Sequence, residues 1–477
     1  ADERRRLDLL HLGEIDVRAS LASSYTRLGD RARRSLRRLS LVDAPDFTTP
    51  VLAALLDAGA AEATPALDEL VAASLVDVTG TDGAGQVRFT LHDLVRIYGR
   101  ERVLTEEPEA TRTEAIARVG RRWLATVESI AAHSAENAFV AVHGCVTQAR
   151  PPADPVAWLQ AERGCLIAMI EQAARLPDVT TAWRLTGCLY EFLGAHGHHD
   201  DWRRALAAVI PAVEEAGDAV GLAAMTEGLG YLDMSRDSYA TALVHLERAR
   251  TLFLDARAPA GAVNCEASAA ACHRILGRLE LAARCAARSV DLASAFAYPL
   301  GMAHAWFELG NVRRDEGRLD EAVGCLRHAL DLADRHGFAT GRGLILRGLG
   351  IVHRRAGNLD RAAAFLREAH DALTAAGNVI RAAYSIHELA EVRMRQGQLA
   401  EAESLLHDCL RTMTGHDERY GQALCLNALA QVRRLTGRPD RAAADLAEAV
   451  RLWQRLHLPQ QRQRALRDLR ELQRQPR

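Results

Sequence analysis

The chain is predicted to be predominantly α-helical: a winged-helix domain with a small β-hairpin, followed by an α-solenoid of 40-residue helical hairpins. Three observations carry this prediction. A turn signature returns at a constant interval through the C-terminal half. The composition is 48% hydrophobic but only 5% aromatic, so any core is built mainly from Leu, Ala and Val, as close-packed helices require. Near residue 80, two β-patterned runs flank a glycine-rich hexad.

The turn signature reads Gly277-Arg278-Leu279, Gly317-Arg318-Leu319, Gly357-Asn358-Leu359, Gly397-Gln398-Leu399 and Gly437-Arg438-Pro439, with 40 residues between successive glycines. Ala282, Ala322, Ala362, Ala402 and Ala442 each follow their glycine by five, and one further step back reaches Asp237 and Ala242. A turn glycine can adopt the positive φ that ends a helix, and a small residue after it lets the next helix pack closely. A second small residue stands seven before each turn, at Gly230, Ala270, Gly310, Gly350, Ala390 and Ala430. Each unit is therefore a helical hairpin with a small-residue hole at its crossing. Trp306, Leu309, Gly310, Ala322 and Leu326 resemble the tetratricopeptide pattern, whose usual period is ~34 residues, so lengthened helices are expected; the period alone also fits HEAT or armadillo units.

Composition removes several classes of function. The net charge of −2 gives the whole chain no electrostatic case as a nucleic-acid binder. All 60 basic residues are arginine, so a P-loop lysine and a Schiff-base amine are both lacking here. No run approaches 18 apolar residues and the opening residues are no signal peptide, which points to a cytoplasmic protein without membrane contact. The nine cysteines lack paired spacing and read as small buried hydrophobes. The chain begins without methionine and reads as a piece of something longer.

Residues 14–104 follow a different pattern. Helices are expected over 17–28, 32–41, 49–56 and 65–75, then strands over 76–79 and 87–90. A strand follows the hexad, whereas a phosphate cradle needs a helix there, so the hexad is a hairpin tip. The segment before the wing carries Glu62, Asp68 and Glu69 and no arginine, which opposes groove insertion. Arg33, Arg34, Arg37 and Arg38 read as a solvated helix face.

Leu91-His92-Asp93-Leu94 after the second strand, with Asp16-Val17-Arg18-Ala19-Ser20-Leu21 upstream and Trp158-Leu159-Gln160-Ala161-Glu162-Arg163 downstream, is similar to the large SARP-type STAND transcriptional regulators of actinomycetes. That resemblance implies an NB-ARC winged helix and tetratricopeptide repeats, with ATP or ADP bound by upstream domains of the full-length protein and no cofactor in this chain. It also implies that His92 senses the nucleotide, with Asp93 holding the local turn; the bland alternative is that the two cap the following helix.

The division expected is 1–107 winged helix, 108–156 connecting helix and Pro-rich linker, 157–235 adaptor and divergent first repeat, and 236–477 repeat array with a capping helix. In tetratricopeptide arrays the first helices line a groove, whose inward positions here are Asn264, His304, Asn311, Arg314, Arg347, Arg354, His387, Asn427, Gln431 and Arg434. Arg274, Arg314, Arg354 and Arg434 share one position, a ladder suited to carboxylates or phosphates. The groove is expected to take a protein, peptide or small-molecule effector. His196 to Asp201 and His387-Glu388 tempt a metal reading, but the first is a turn and the second lacks its second histidine, so no metal and no catalytic residue are assigned. The expected function is a non-enzymatic regulatory module. A freestanding scaffold and a DNA-binding winged helix are the alternatives.

Overall fold

The computed structural model describes residues 11, 12, 15–133, 137–145, 147, 149–416, 418–456 and 458–474. They form two compact units, 1–265 and 266–477. The opening residues 1–6 lie outside the described ones.

In the first unit a short antiparallel pair, β1 (His11–Leu12) and β2 (Ile15–Asp16), leads into α1 (Val17–Arg27). Then come α2 (Asp30–Leu39), α3 (Thr49–Leu56), α4 (Ala60–Ala72), and the wing strands β3 (Asp77–Thr81) and β4 (Val87–Thr90). Phe47 bridges to Phe89 in backbone pairing, and their rings stack at 5.8 Å, tying the wing to the α2–α3 connection. The helix expected from Pro65 starts instead at Ala60. Gly59 offers its carbonyl to Glu62 and Ala63, while Pro65 sits inside the helix, where it contributes no donor. α5 (Asp93–Glu106) closes the domain.

The basic cluster on α2 is not a uniformly solvated face. Arg38 is buried, donating to Glu107 at 3.0 Å and to the Leu55 carbonyl at 2.8 Å. Arg37 reaches Glu106 at 2.8 Å and Glu107 at 3.1 Å. Helical periodicity cannot see acids about seventy positions away that the fold brings back. Glu62 and Glu69 of α4 are likewise engaged, with Arg31 and with the Gly29 amide.

The chain continues through α6 (Glu109–His133), α7 (Ala138–His143), α8 (Pro155–Ala173), α9 (Thr180–Ala195), α10 (His199–Glu215), α11 (Ala219–Ser235), α12 (Tyr239–Asp255) and α13 (Pro259–Ile275). The second unit holds α14 (Leu279–Ala295), α15 (Pro299–Asp315), α16 (Leu319–His336), α17 (Ala339–Arg355), α18 (Leu359–Ala375), α19 (Val379–Arg395), α20 (Leu399–Gly415), α21 (Arg419–Leu435), α22 (Pro439–Arg455) and α23 (Pro459–Arg474). It is a solenoid of helix pairs, most helices spanning 17 residues.

The backbone beats faster than the 40-residue signature. Left-handed residues recur every 20 positions, at Gly197, Gly217, Asp237, Arg257, Gly277, Ala297, Gly317, Gly337, Gly357, Gly377 and Gly397. Turns within and between hairpins thus share one geometry. At the Gly317 turn, Arg318 donates to the Arg313 carbonyl at 2.9 Å and Gly317 to Arg314 at 3.1 Å, which satisfies carbonyls left open by the helix end. Asp237, Arg257 and Ala297 adopt φ of 58°, 55° and 48°, so the motif persists where glycine is lost. What does repeat at 40 is the packing chemistry. A Cβ at Gly310 would lie 2.8 Å from Leu326 Cγ, at Gly350 2.6 Å from Leu366 Cγ, and at Gly230 2.9 Å from Leu246. Trp306 is half-buried rather than enclosed, meeting His328 edge-on at 5.0 Å. Ala322 is fully buried beside this crossing. Ala322→Leu should therefore cost about 1–3 kcal/mol through overpacking. Urea unfolding of the full chain checks this, and an unchanged midpoint would refute the close packing assigned to the site.

Ion pairs stitch successive hairpins. Arg355 pairs with Asp315 at 3.1 Å and donates to the Arg314 carbonyl at 3.0 Å, at the negative end of the preceding first helix. α23 closes the array with Ala465 and Leu472 buried against Trp453 and a charged outer face.

Candidate functional site

The winged helix presents His92 where β4 hands over to α5. Leu91 is buried and packs the turn, while His92 and Asp93 are exposed. His92, not Asp93, is the capping residue: its Nδ1 accepts from the Leu94 amide at 3.3 Å. An Nδ1 used as acceptor places the neutral ring's proton on Nε2, which leaves one donor free of the cap. Capping and sensing therefore use different ring nitrogens.

Next to it is a buried ionic cluster that sequence reasoning missed. Arg88 of β4 is inserted among three carboxylates from separate segments. It donates to Glu162 Oε1 of α8 at 2.6 Å, to Asp46 before α3, and to Asp82 of the wing tip at 3.5 Å. Arg88 Nη2 and Cys165 Sγ are 3.3 Å apart, and the thiol in turn contacts Asp46 Oδ1 at 3.2 Å. Burial pushes the Glu162 carboxyl up while Arg88 pulls it down. The carboxylates hold the guanidinium firmly charged. Gln172 of α8 and Arg175 just beyond it extend the clasp, with Gln172 Nε2 donating to the Leu41 carbonyl at 2.6 Å and Arg175 pairing with Asp43 at 2.6 Å. The Trp158–Arg163 stretch that carried the resemblance is thus the helix against which the winged helix is fastened. An arginine amid apolar neighbours in Val87-Arg88-Phe89 was the available signal.

The stretch expected as a linker is partly folded into the first unit. α7 lays Phe139 against Gly187 of α9, where a Cβ would stand 1.9 Å from the Phe139 ring. Phe139 meets Trp183 edge-on at 5.8 Å and Tyr190 at 6.3 Å. Arg184 holds the segment end, donating to the His143 carbonyl at 3.1 Å and the Gly144 carbonyl at 2.7 Å, and itself pairs with buried Glu128. Burial, with Arg184 nearby, pushes the His143 ring down to about 4.

The expected groove residues divide sharply. Asn264 in the first unit and Asn311 in the second are buried. The arginine ladder is largely spent inside the fold. Arg274 lies 3.3 Å from Asp315 and 3.5 Å from Glu308. Arg314, itself buried, donates to Asn311 at 2.9 Å and Asp315 at 3.0 Å. Arg354 pairs with Glu388 at 2.8 Å. All three are engaged within the fold, Arg274 and Arg354 by acids of the next hairpin and Arg314 by Asn311 and Asp315 of its own helix. His304, Arg347, His387 and Asn427 are half-buried, and Gln431 and Arg434 are exposed. The Asn427 carbonyl oxygen is buried without a partner among the described residues.

The histidine turn is held by local partners. His196 Nδ1 bonds to the Phe192 carbonyl at 2.9 Å, and Arg163 donates to His198 Nδ1 at 2.5 Å. Among the described residues no three His, Cys, Asp or Glu side chains converge as a metal site would require.

With this geometry in place, the class of protein is defined. Residues 28–104 match the winged helix-turn-helix domain, and residues 301–375 and 380–455 match the tetratricopeptide repeat. The chain thus joins a winged helix to tetratricopeptide repeats. It is 32% identical over 234 residues to Regulatory protein AfsR of Streptomyces griseus, covering 46% of this chain and 22% of that protein. It is 40% identical over 100 residues to Regulatory protein AfsR of Streptomyces coelicolor, covering 21% and 10%. The chain therefore spans less than a quarter of these relatives. In fold it is similar to a signal transduction ATPase with numerous domains, a STAND protein with a tetratricopeptide repeat sensor from Pyrococcus horikoshii, at a TM-score of 0.63 and 14% identity, covering 97% of this chain and 62% of that one. No helix among the described residues is long and apolar enough to cross a membrane.

Proposed function

We propose that this chain is the regulatory and sensing part of a cytoplasmic STAND-type transcriptional activator. Its repeats receive a protein, peptide or small-molecule effector, and its winged helix couples that event to nucleotide-binding and DNA-binding domains of the same protein. The chain itself performs no catalysis in this reading; ATP or ADP belongs to the nucleotide-binding domain. The observation that carries the reading is the order of a winged helix followed by tetratricopeptide repeats in a chain similar to Regulatory protein AfsR, with a STAND protein sharing the fold. Two local features support it. His92 keeps an Nε2 donor for a phosphate oxygen while its other nitrogen caps α5. The Arg88–Glu162 clasp gives the winged helix a fixed purchase on α8, from which the helical region runs on.

A STAND regulator needs a P-loop, so a full reading frame without one would end the proposal. The nucleotide role is tested in the full-length protein by His92→Asp, which preserves a capping acceptor but removes the donor. One hydrogen bond to a charged group is worth about 1.5–3 kcal/mol, so ADP release should quicken by about tenfold or more. Stopped-flow release of a fluorescent ADP measures it, and an unaltered rate would remove His92 as sensor.

A further inference from the structure

Two cysteines of the second unit face one another across the junction between successive hairpins. Cys409 lies on α20 and Cys425 on α21, 16 residues apart in the chain, and their sulfurs stand 3.2 Å from each other. The contact is ordered. Cys425 donates to the Cys409 sulfur, and Cys409 in turn donates to the Ala383 carbonyl of α19 at 3.2 Å. Both side chains are buried, with Ala383 and Met413 packed beside them. The hydrogen bond to Cys409, together with burial, holds the Cys425 thiol well above the usual thiol range. The Cys425 sulfur is therefore protonated and unreactive while the junction stays closed.

Packing does not call for two thiols there, as the other repeats demonstrate. In register with Cys409 stand Ala249, Ser289, Ala329, Ala369 and Ala449, and in register with Cys425 stand Cys265, Ala305, Ile345 and Ser385. Only the junction of α20 with α21 carries a cysteine at both positions. The first position needs a small residue and the second tolerates several, so the facing sulfurs add a reactivity that helix packing does not use. Buried thiols elsewhere meet carboxylates instead, Cys165 at Asp46 and Cys265 at Glu227. A disulfide bond is about 2.05 Å long, so the Cys409 and Cys425 sulfurs need to close by only about 1 Å. Each hairpin of a solenoid touches just its neighbours, and a junction can open locally while the rest of the array stays folded. Opening admits a small uncharged peroxide. One sulfur of the pair, as thiolate, attacks it; the O–O bond breaks, giving a sulfenic acid and water or an alcohol. The second thiol attacks that sulfenic sulfur, the S–S bond forms, and the displaced hydroxide leaves with the thiol proton as water. The two sulfurs lose two electrons and the peroxide gains them.

We propose that Cys409 and Cys425 are a reversible oxidation site, where a peroxide converts the facing thiols to a disulfide that staples two consecutive hairpins of the array. The site is independent of which effector the repeats receive. It is tested by treating the native full chain with hydrogen peroxide, blocking the remaining thiols with iodoacetamide, and weighing the tryptic peptides. Because the chain has no lysine, trypsin leaves Cys409 on residues 396–411 and Cys425 on residues 420–433, each without a second cysteine. The two peptides are expected joined, lighter than their sum by two hydrogens, and separated again by dithiothreitol. The same treatment in concentrated urea should instead pair the cysteines indiscriminately. Cys409→Ala and Cys425→Ser, which place at each site a residue that other repeats already hold there, should remove the joined species while leaving the fold intact. The staple closes a loop of about 15 residues, so hydrogen exchange in α20 and α21 of the oxidised chain should slow about tenfold or more. Native thiols at 409 and 425 that stay reduced, that pass to sulfinic acid without joining, or that pair no more readily than the other cysteines overturn the site. A joined pair with unaltered exchange overturns the staple.

Discussion

Arg88→Met is expected to cost the first unit about 3–5 kcal/mol, the loss that follows when one member of a buried ion pair is removed and its partners stay behind. Glu162 is buried, and its Oε2 has no hydrogen-bond partner among the described residues, so Arg88 is what makes its charge tolerable there. Asp82 and Asp46 would lose the same partner. Because those acids come from the wing tip, the α2–α3 connection and α8, the damage should be a loosening of the winged helix from α8 as well as a fall in stability. Urea unfolding of the full chain, followed with hydrogen exchange across residues 77–90 and 155–173, reads both effects. The double change Arg88→Met with Glu162→Met should recover much of the loss, since paired apolar replacements of buried ion pairs are often neutral. An Arg88→Met protein with unchanged stability and exchange would refute the clasp.

The segment seated on α9 makes the second large prediction. Phe139→Ala should cost about 3–5 kcal/mol, because Gly187, Trp183 and Tyr190 would face a hole that the rigid helices cannot close. Acid should act on the same place. His143 ordinarily titrates near 6.5 and in the packed state near 4. Above pH 6.5 the ring is neutral whether packed or released, and the packing is at full strength. As the pH falls from 6.5 towards 4, the released ring takes a proton that the packed ring refuses, so packing weakens by about 1.4 kcal/mol per pH unit, roughly 3 kcal/mol in all. Hydrogen exchange at Ala141, whose amide donates to the Asn137 carbonyl, should accelerate over that range. His143→Leu should flatten the dependence; the same slope in that variant would assign the effect to other histidines.

Much of this was legible in the residues themselves. The turn glycines, the small residue seven before each turn and the leucine that fills it are local in sequence, and local pattern is what helix geometry writes most directly. The winged helix was also legible, since period-2 strands around a glycine-rich tip leave few alternatives. The cadence of 20 was not, because Asp237, Arg257 and Ala297 adopt the left-handed turn without advertising it. The candidate site was read less completely. His92 was placed by motif, yet which of its nitrogens caps α5 is a matter of coordinates. The arginine ladder was read from shared position, and position says nothing of whether an acid on the next helix reaches it.

The sequence by itself determined that this chain is a train of helical hairpins behind a winged helix, because both follow from spacings of a few residues to 40. Only the tertiary structure decided which charges are structural and which remain available. Arg38, Arg88, Arg274 and Arg354 find carboxylates brought to them by folding, whereas Arg314 meets Asp315, its neighbour along the chain. The reason is physical: a guanidinium is drawn to whichever acid lies within a few ångströms, and separation along the chain carries no measure of that distance.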